Sequence, residues 1–401
     1  MASYDQLRNY FNESDNLRAA ARRAAEFSIV QGFVLDVDPV WCLLYDIEDG
    51  LADWPTDFAL DRHEWRHILM HFPDPYYRGL SVCLHDHLRS LAANRYQGYR
   101  ERDLYKLQDF ARSPQSSAVS MTIVHRPLLP PAEATRSTDS DDEAQLRSLV
   151  GIARESGGLV RIEERPLARL ALAVGDKIST NSGRAGTIGG VLKSTTSAKS
   201  YGLTCAHVAR QGDQIHDGSG NLIGLCIADT KPVALRSGLV CDPVNLKQPN
   251  PSPGNGPELN MLDAAFIDLI APIQQATLGG VAQSLSQGQN VTLKGAATGI
   301  THHKLGSLCL SYSFHQGTSN FCFRDAIEIW PVSWSPFGGR VGQVMSKLPT
   351  QGDSGGWVLI DDQPPIWAGV FFGEDGYRGF AIRASWVHAW AEKNAGVTLT
   401  P

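Results

Sequence analysis

The 401-residue sequence lacks any uninterrupted apolar stretch of the length that a membrane-spanning helix needs. A secretory signal has a basic segment followed by an apolar one, and the first 27 residues do not show this pattern. With 36 Lys and Arg against 42 Asp and Glu, the chain also lacks the basic field that attracts nucleic acid. We therefore expect neither a membrane nor a nucleic acid as a partner.

Cysteine is sparse. The seven cysteines are an odd number spread over a long chain, unlike the framework of a disulfide-stapled secreted protein. Cys309 and Cys322 could face each other across a hairpin, which the sequence leaves open; we otherwise expect buried, reduced thiols. Together with the missing signal pattern, this predicts a cytoplasmic protein.

The first part of the chain has the pattern of helices. Residues 1–115 are predicted to form a helical domain with an interaction or regulatory role, because apolar residues recur with a period of about 3.6. Residues 116–165 are predicted to be a small βαβ unit, with two strands around a helix at 144–154. Its acidic run, 139–143, is expected to be a solvated loop.

The rest of the chain has a different pattern. Residues 166–401 contain short apolar alternations separated by Gly, Asn, Ser and Pro, which favour an all-β barrel or sandwich. A closing helix is predicted at 385–394, where apolar residues share one face. The chain is too long for one ordinary core, so we expect a multidomain protein.

A serine lies in the glycine-rich segment Gln351-Gly352-Asp353-Ser354-Gly355-Gly356-Trp357. A serine hydroxyl is a poor nucleophile unless a base accepts its proton and N–H groups stabilise the developing oxyanion. Gly352 can adopt the backbone that turns its N–H inward beside that of Ser354. We therefore predict Ser354 as a nucleophile, with an oxyanion hole formed by Gly352 and Ser354.

Two other segments contain the partners that such a serine needs. His207 ends the apolar segment 203–208, although a lone histidine there is more often an ordinary core residue. Asp263 lies in a strand that appears buried by composition, where a carboxylate must accept a hydrogen bond from a group such as an imidazolium. Asp268, at the opposite parity of that strand, is expected at its solvated rim.

These segments, in the order His, Asp, Ser, resemble the trypsin/chymotrypsin family of serine proteases, of which GDSGG is the most specific signature. The resemblance covers about residues 170–401 and is closest in pattern to non-secreted microbial members. It implies two antiparallel β-barrels with a triad between them: His207 as base, Asp263 orienting that base and Ser354 as nucleophile. It also implies a protein or peptide substrate, and requires neither a cofactor nor a metal.

The resemblance extends to the substrate pocket. Segment 368–373 is similar to the strand that pairs with substrate in this family. Phe371, Phe372 and Gly373 on it are therefore expected to bind substrate, together with Leu348 before the nucleophile. Because Leu348 stands where trypsins carry an acidic residue, we expect cleavage after uncharged residues of small or medium size.

The control of activity is expected to differ from that of secreted members. No free Ile-Val-Gly-Gly amino terminus can be placed beside Asp353, so we expect another cation, from this chain or a partner, to pair with it. We expect residues 1–160 to gate the protease by covering its cleft or by relaying a binding event, with a regulatory protein bound through residues 1–115. The competing idea is that they simply complete the fold of the first barrel.

Two other functions stay open. One is a catalytically dead binding module of the same fold, which would have no use for an intact triad and oxyanion glycines. The other is a zinc metalloprotease, since His63-Glu64-Trp65-Arg66-His67 matches HExxH, in which two imidazoles on one helix face bind zinc beside a glutamate base. Arg66 weakens that interpretation, because it places a cation among the ligands.

Overall fold

The computed structural model describes residues 3–37, 119–127, 136–156, 160–170, 177–244, 255–256, 258–270, 273, 275, 277–331, 333–334, 344–345, 347–350 and 352–401. The helices in these ranges are α1 (Tyr4–Glu13), α2 (Asp15–Ala24), α3 (Arg136–Glu155) and α4 (Ala384–Ala395). None of them has the length and apolar character that crossing a membrane requires. The HExxH segment at 63–67 lies outside the described residues.

The strands, in chain order, are β1 (Val30–Val37), β2 (Val119–His125), β3 (Val160–Glu164), β4 (Arg169–Leu170), β5 (Lys177–Thr180), β6 (Ala185–Thr187), β7 (Gly190–Ser194), β8 (Ser200–Thr204), β9 (Gln214–His216), β10 (Leu222–Asp229), β11 (Ala265–Leu269), β12 (Asn290–Gly295), β13 (Gly299–Gln316), β14 (Ser319–Phe323), β15 (Ala326–Pro331), β16 (Ser333–Trp334), β17 (Val344–Met345), β18 (Trp357–Ile360), β19 (Ile366–Glu374), β20 (Gly379–Arg383) and β21 (Leu399–Thr400).

Six of these strands close a barrel. Their order is β12-β18-β19-β20-β15-β13, and β13 pairs back to β12. Closure requires β13 to bend, and its register against β15 shifts between Leu305 and Leu308. Gly306 lies at this bend, where an added Cβ would be 2.1 Å from Trp330 Nε1. The glycine therefore allows the bent strand to approach the tryptophan closely.

The first large sheet has the order β21-β7-β8-β11-β10-β9-β5-β6 and forms a half-barrel. It shares a core with the closed barrel, to which Leu203 and Phe266 contribute from the first sheet and Trp357 and Trp367 from the second. The two tryptophans stack with ring centroids 4.1 Å apart. The predicted architecture of two antiparallel barrel units is thus confirmed, the first being an open half-barrel. The closing helix is confirmed as α4.

The described amino-terminal residues belong to the sheet of the closed barrel. Strand β1 pairs with β13 on one side and with β2 on the other. Strands β2 and β3 are parallel and flank α3, so the predicted βαβ unit is confirmed. Helices α1 and α2 begin at the serine caps Ser3 and Ser14, and their buried faces share a core with β13 and β15.

Two predictions for this part of the chain are wrong. Residues 30–37 form a strand where a helix was expected, because this run is buried between two hydrogen-bonded neighbours and needs no amphipathic period. The acidic run 139–143 is helical, since α3 already begins at Arg136. Carboxylates are favoured near the amino-terminal end of a helix, and Asp142 accepts a hydrogen bond from Arg126 at 2.9 Å.

The cysteines are also not all reduced. Cys241 forms a buried disulfide with Cys322, so the expectation of reduced thiols is wrong for this pair. The hairpin considered from the sequence does not form it, because Cys322 lies opposite Ser313 and Cys309 lies opposite Ala326. Cys205, Cys226 and Cys309 are buried free thiols. Since disulfides are rare in cytosolic proteins, the cytoplasmic location stays a prediction.

A substitution in β1 tests whether the amino-terminal strand shares the barrel core. Phe33 is fully buried, so Phe33→Ala should lower the free energy of unfolding by about 3–5 kcal/mol. Tyr10→Ala, at an exposed position of α1, is the control and should change it by less than about 0.5 kcal/mol. Urea titration followed by tryptophan fluorescence should show one cooperative transition shifting. If the variant showed an additional transition at lower urea concentration while the midpoint of the main transition stayed unchanged, a shared core would be contradicted.

Candidate active site

His207 lies in a tight turn that follows β8. The turn is closed by Cys205, whose carbonyl accepts hydrogen bonds from the N–H groups of Val208 and Ala209, both at 3.1 Å. This geometry turns the imidazole out of the strand and toward the second barrel. The backbone N–H of His207 donates to Asp263 Oδ1 at 3.1 Å, so the carboxylate contacts both the backbone and the ring of the histidine.

The three residues predicted from the sequence are brought together. His207 Nδ1 lies 2.5 Å from Asp263 Oδ2, and His207 Nε2 lies 2.9 Å from Ser354 Oγ. Asp263 reaches this position because β11 pairs with β8, with Ala265 opposite Thr204. All three side chains are buried. Asp268 lies at the rim, where it accepts a hydrogen bond from exposed Lys199 at 3.2 Å.

The loop around the nucleophile depends on two glycines with left-handed backbones. Gly352 has φ 110° and Gly355 has φ 95°, values that L-residues with side chains rarely adopt. An added Cβ on Gly355 would lie 2.3 Å from the Thr187 carbonyl oxygen. The loop is tied to β19 by Phe371, which accepts from Gly355 N at 2.8 Å and donates to Gly356 O at 2.9 Å.

Asp353 accepts hydrogen bonds from four neutral donors among the described residues. Its Oδ1 accepts hydrogen bonds from Ala297 N at 2.7 Å and Thr298 N at 3.1 Å. Its Oδ2 accepts from Thr298 Oγ1 at 2.8 Å and Thr350 N at 2.9 Å. Four hydrogen bonds from described residues satisfy the buried carboxylate. The cation expected from this chain or a partner stays a prediction, and three of the four donors come from the short turn at 297–298.

The residues predicted to bind substrate have mixed surroundings. Leu348 is half-buried near the nucleophile loop, and Gly373 is buried on β19. Phe371 and Phe372 are fully buried, and the Phe372 ring packs against Phe314 at a centroid distance of 4.7 Å. The two phenylalanines therefore contribute to the core, while Phe371 also positions the nucleophile loop through its backbone.

Within the described part of the chain, one group of side chains could in principle hold a metal ion: Cys205, His207 and Asp263. The imidazole and the carboxylate of that group already bond each other. Burial raises the pKa of the Cys205 thiol well above its ordinary value, so the thiolate that a metal prefers is disfavoured. Its Sγ instead donates to the Phe371 carbonyl at 3.3 Å. The donor set fits a triad better than a metal centre.

Comparison with known proteins finds similarity at the level of structure. No protein-family model matches the chain, and no curated protein matches it. The chain is similar to solved bacterial trypsin/chymotrypsin-like serine proteases. Thermobifida fusca protease A is 14% identical, with a TM-score of 0.35, over 57% of this chain and 98% of that one. Nocardiopsis protease is 13% identical, with a TM-score of 0.34, over 57% and 99%.

The active form of the Rv3671c protease from M. tuberculosis is 17% identical, with a TM-score of 0.31, over 58% of this chain and 82% of that one. Because these TM-scores and identities are low, we base no residue role on them. The roles proposed for this chain rest on its own hydrogen-bond geometry.

The hydrogen bonds that position Asp353 lead to a prediction about Gly295, at the end of β12. An added Cβ there would lie 2.2 Å from Asp353 Oδ1, so Gly295→Ala must displace the carboxylate or the turn that binds it. We expect a loss of about 1–3 kcal/mol in the free energy of unfolding. Gly151→Ala in α3, where an added Cβ meets no atom within 4 Å, is the control and should be neutral or stabilising. Equal stability of both variants in urea titration would show that Asp353 is not held as described.

Proposed function

We propose that the chain is a serine endopeptidase that cleaves peptide bonds through an acyl-enzyme intermediate. The observation that carries this proposal is the ordered array of hydrogen bonds from Asp263 through His207 to Ser354. The two ring nitrogens of His207 have different partners: Nδ1 bonds the Asp263 carboxylate and Nε2 bonds the Ser354 hydroxyl. A carboxylate at Nδ1 favours the tautomer whose free Nε2 lone pair accepts the serine proton. A core histidine with a purely structural role does not need a carboxylate at one ring nitrogen and a hydroxyl at the other.

The reaction follows from the array. Ser354 Oγ attacks the carbonyl carbon of the substrate, and its proton moves to His207 Nε2 while Asp263 stabilises the resulting cation. The N–H groups of Gly352 and Ser354 are proposed to bind the oxyanion. His207 then gives the proton to the leaving amine, the C–N bond breaks and an ester to Ser354 remains. Water hydrolyses that ester by the same steps, with His207 again as base.

The substrate is proposed to be an extended peptide. A peptide can add a strand to a sheet edge through main-chain hydrogen bonds, and β19 bonds the nucleophile loop at Phe371 and continues to Gly373 near its end. Leu348 is proposed to contribute to the pocket for the residue before the scissile bond. The preference for an uncharged residue there stays a prediction, as does the apolar character of the pocket.

Substitution of the nucleophile tests this function. Ser354→Ala should abolish labelling by a fluorophosphonate probe and reduce peptide hydrolysis by more than about 10³-fold, because triad members act as a unit. Thermal unfolding should confirm that the variant is folded, and Ser333→Ala, on the short strand β16, is a serine control outside the triad. Residual turnover of a few per cent would contradict the assignment.

The same assay separates the alternatives. A catalytically dead binding module would leave the wild-type protein unlabelled. A zinc enzyme acting through His63 and His67 would lose hydrolysis with EDTA and regain it with added zinc, whereas a serine enzyme would not respond.

We further propose that the amino-terminal region restrains the protease through β4. This short strand pairs antiparallel with β19, with Leu170 opposite Gly373 and Arg169 opposite Glu374. On its other side, the Ala168 carbonyl accepts a hydrogen bond from His315 N of β13 at 2.9 Å. Gly373 is two residues from Phe371, which binds the nucleophile loop. The chain's own strand therefore takes part of the edge proposed for the substrate.

A buried ionic network anchors the segment that leads into β4. Arg165 contacts Glu328 of β15 and Glu163 of β3, and Glu163 accepts a further hydrogen bond from Arg378 at 2.8 Å. Burial opposes the charge on Glu328, but Arg165 and Arg378 hold its pKa below the ordinary value. The restraint is thus linked to β3 and the βαβ unit. A regulatory protein that binds residues 1–115 is proposed to change activity through this network. Such control would keep a cytoplasmic protease inactive until the regulatory protein binds.

A proline in β4 tests the restraint, because proline has no N–H to donate to a neighbouring strand. Leu170→Pro should raise kcat/KM and the fluorophosphonate labelling rate by about fivefold, the effect of losing ~1 kcal/mol of competing hydrogen bonding. Leu167→Pro, at an exposed position before β4, is the control and should leave both rates unchanged. A synthetic peptide with the sequence of residues 165–170 should inhibit the Leu170→Pro variant competitively. Unchanged rates in a folded variant would refute the restraint.

A further inference from the structure

Thr187 lies at the end of β6, where the half-barrel meets the closed barrel. The residue is 3% exposed. The sequence contains it in the segment Ala185-Gly186-Thr187-Ile188-Gly189-Gly190, whose glycines suggest only a hairpin. In the structure it is the threonine, rather than a glycine, that makes the polar contacts with the nucleophile loop.

Four hydrogen bonds connect Thr187 to three parts of the active site. Its Oγ1 donates to the Gly352 carbonyl at 2.7 Å and accepts from Ala296 N at 3.2 Å. Its backbone N–H donates to the Ser354 carbonyl at 2.9 Å. Its own carbonyl accepts from Thr204 Oγ1 at 2.7 Å, next to the turn that carries His207.

The hydroxyl of Thr187 acts on a peptide group that can rotate. Gly352 has a left-handed φ of 110° and no side chain to limit its rotation, so hydrogen bonds must determine the orientation of its carbonyl. This carbonyl shares a peptide group with the N–H of Asp353, which donates to the Thr350 carbonyl at 3.1 Å. Rotation of that group would shift the adjoining backbone, including the N–H groups of Gly352 and Ser354 that are proposed to bind the oxyanion. A bond of 2.7 Å from a buried hydroxyl opposes that rotation.

The hydrogen bond from Ala296 N to Thr187 Oγ1 also links Thr187 to the turn that holds Asp353. Ala296 immediately precedes Ala297 and Thr298, whose N–H groups hold the Asp353 carboxylate. Thr187 thus bonds the residues on both sides of Asp353 and also the turn that binds Asp353 itself. A valine in its place would fill the same volume and leave the Gly352 carbonyl and the Ala296 N–H without this partner.

We propose that Thr187 is a positioning residue that holds the oxyanion-binding loop in its productive geometry through its hydroxyl. This inference rests on the proposed function, since it concerns the N–H groups that would stabilise the transition state. It predicts an effect on the chemical step rather than on substrate binding, because Thr187 bonds the loop from the side of the half-barrel.

The test compares Thr187→Val with Thr187→Ser and with Thr122→Val. Thr122 is a matched control because it is a buried threonine of β2 whose hydroxyl has no hydrogen-bond partner among the described residues. With a peptide substrate, Thr187→Val should lower kcat by about tenfold or more and change KM by less than about twofold, as expected for loss of transition-state stabilisation. Thr187→Ser should restore most of kcat, and Thr122→Val should match the wild type. Thermal unfolding of all variants identifies any that are not folded.

Two outcomes overturn the inference alone: an active wild type with a folded Thr187→Val of equal kcat, or a Thr187→Ser as impaired as the valine variant. If Thr187→Val does not fold, Thr187→Ala, which also lacks the hydroxyl, carries the same expectation and the same refutation. A wild type that neither labels with fluorophosphonate nor hydrolyses peptides would overturn the proposed function, and this inference with it.

Discussion

The pairing of β13 along both of its edges is the constraint on which the rest of the structure depends. Its first half lies between β12 and β15 and closes the barrel, while its second half pairs with β1 and β14. The bend at Gly306 separates the two halves, so one strand can serve a closed ring and an open extension. Because β4 also meets β13 at His315, the segment that enters the half-barrel is positioned by the same strand.

The site contains two buried aspartates, Asp263 and Asp353, whose carboxylates have different kinds of hydrogen-bond partners. Asp263 is paired with an imidazole that becomes charged only transiently in the proposed reaction, so the ionic partner of this carboxylate is transient. Asp353 is surrounded by N–H and O–H groups that stay neutral, so its environment does not change with the protonation state of the base. A carboxylate with a fixed set of neutral donors is suited to holding a loop in place, whereas one beside a histidine is suited to following a proton.

The triad could be predicted from the sequence because each member lies in a short segment whose composition is dictated locally. The glycines around Ser354 are needed for its backbone, and the apolar strands before His207 and around Asp263 place polar groups where they require partners. The half-barrel and the closed barrel also follow from short apolar alternations. These features depend on neighbours within a few residues.

Other features depend on pairings that local pattern does not reveal. The run at 30–37 is a strand because β13 and β2 lie on either side of it, and both are distant in the sequence. Cys241 bonds Cys322 because the β13–β14 hairpin places Cys322 beside a connection from the half-barrel. The role proposed for Thr187 has no sequence signal beyond a polar residue between glycines, since its partners come from three separate segments.

The pairing of Gly32 with Tyr312 has a consequence for the order of events during synthesis. Strand β1, which extends the sheet of the closed barrel, leaves the ribosome long before its neighbour β13, and β20, the last strand of the ring in the sequence, comes later still. Strand pairs that are far apart in sequence form late, because the intervening chain must first be available. The nucleophile loop is therefore assembled only when almost the whole polypeptide has been made. The proposed peptidase activity would therefore begin only when synthesis of the chain is nearly complete.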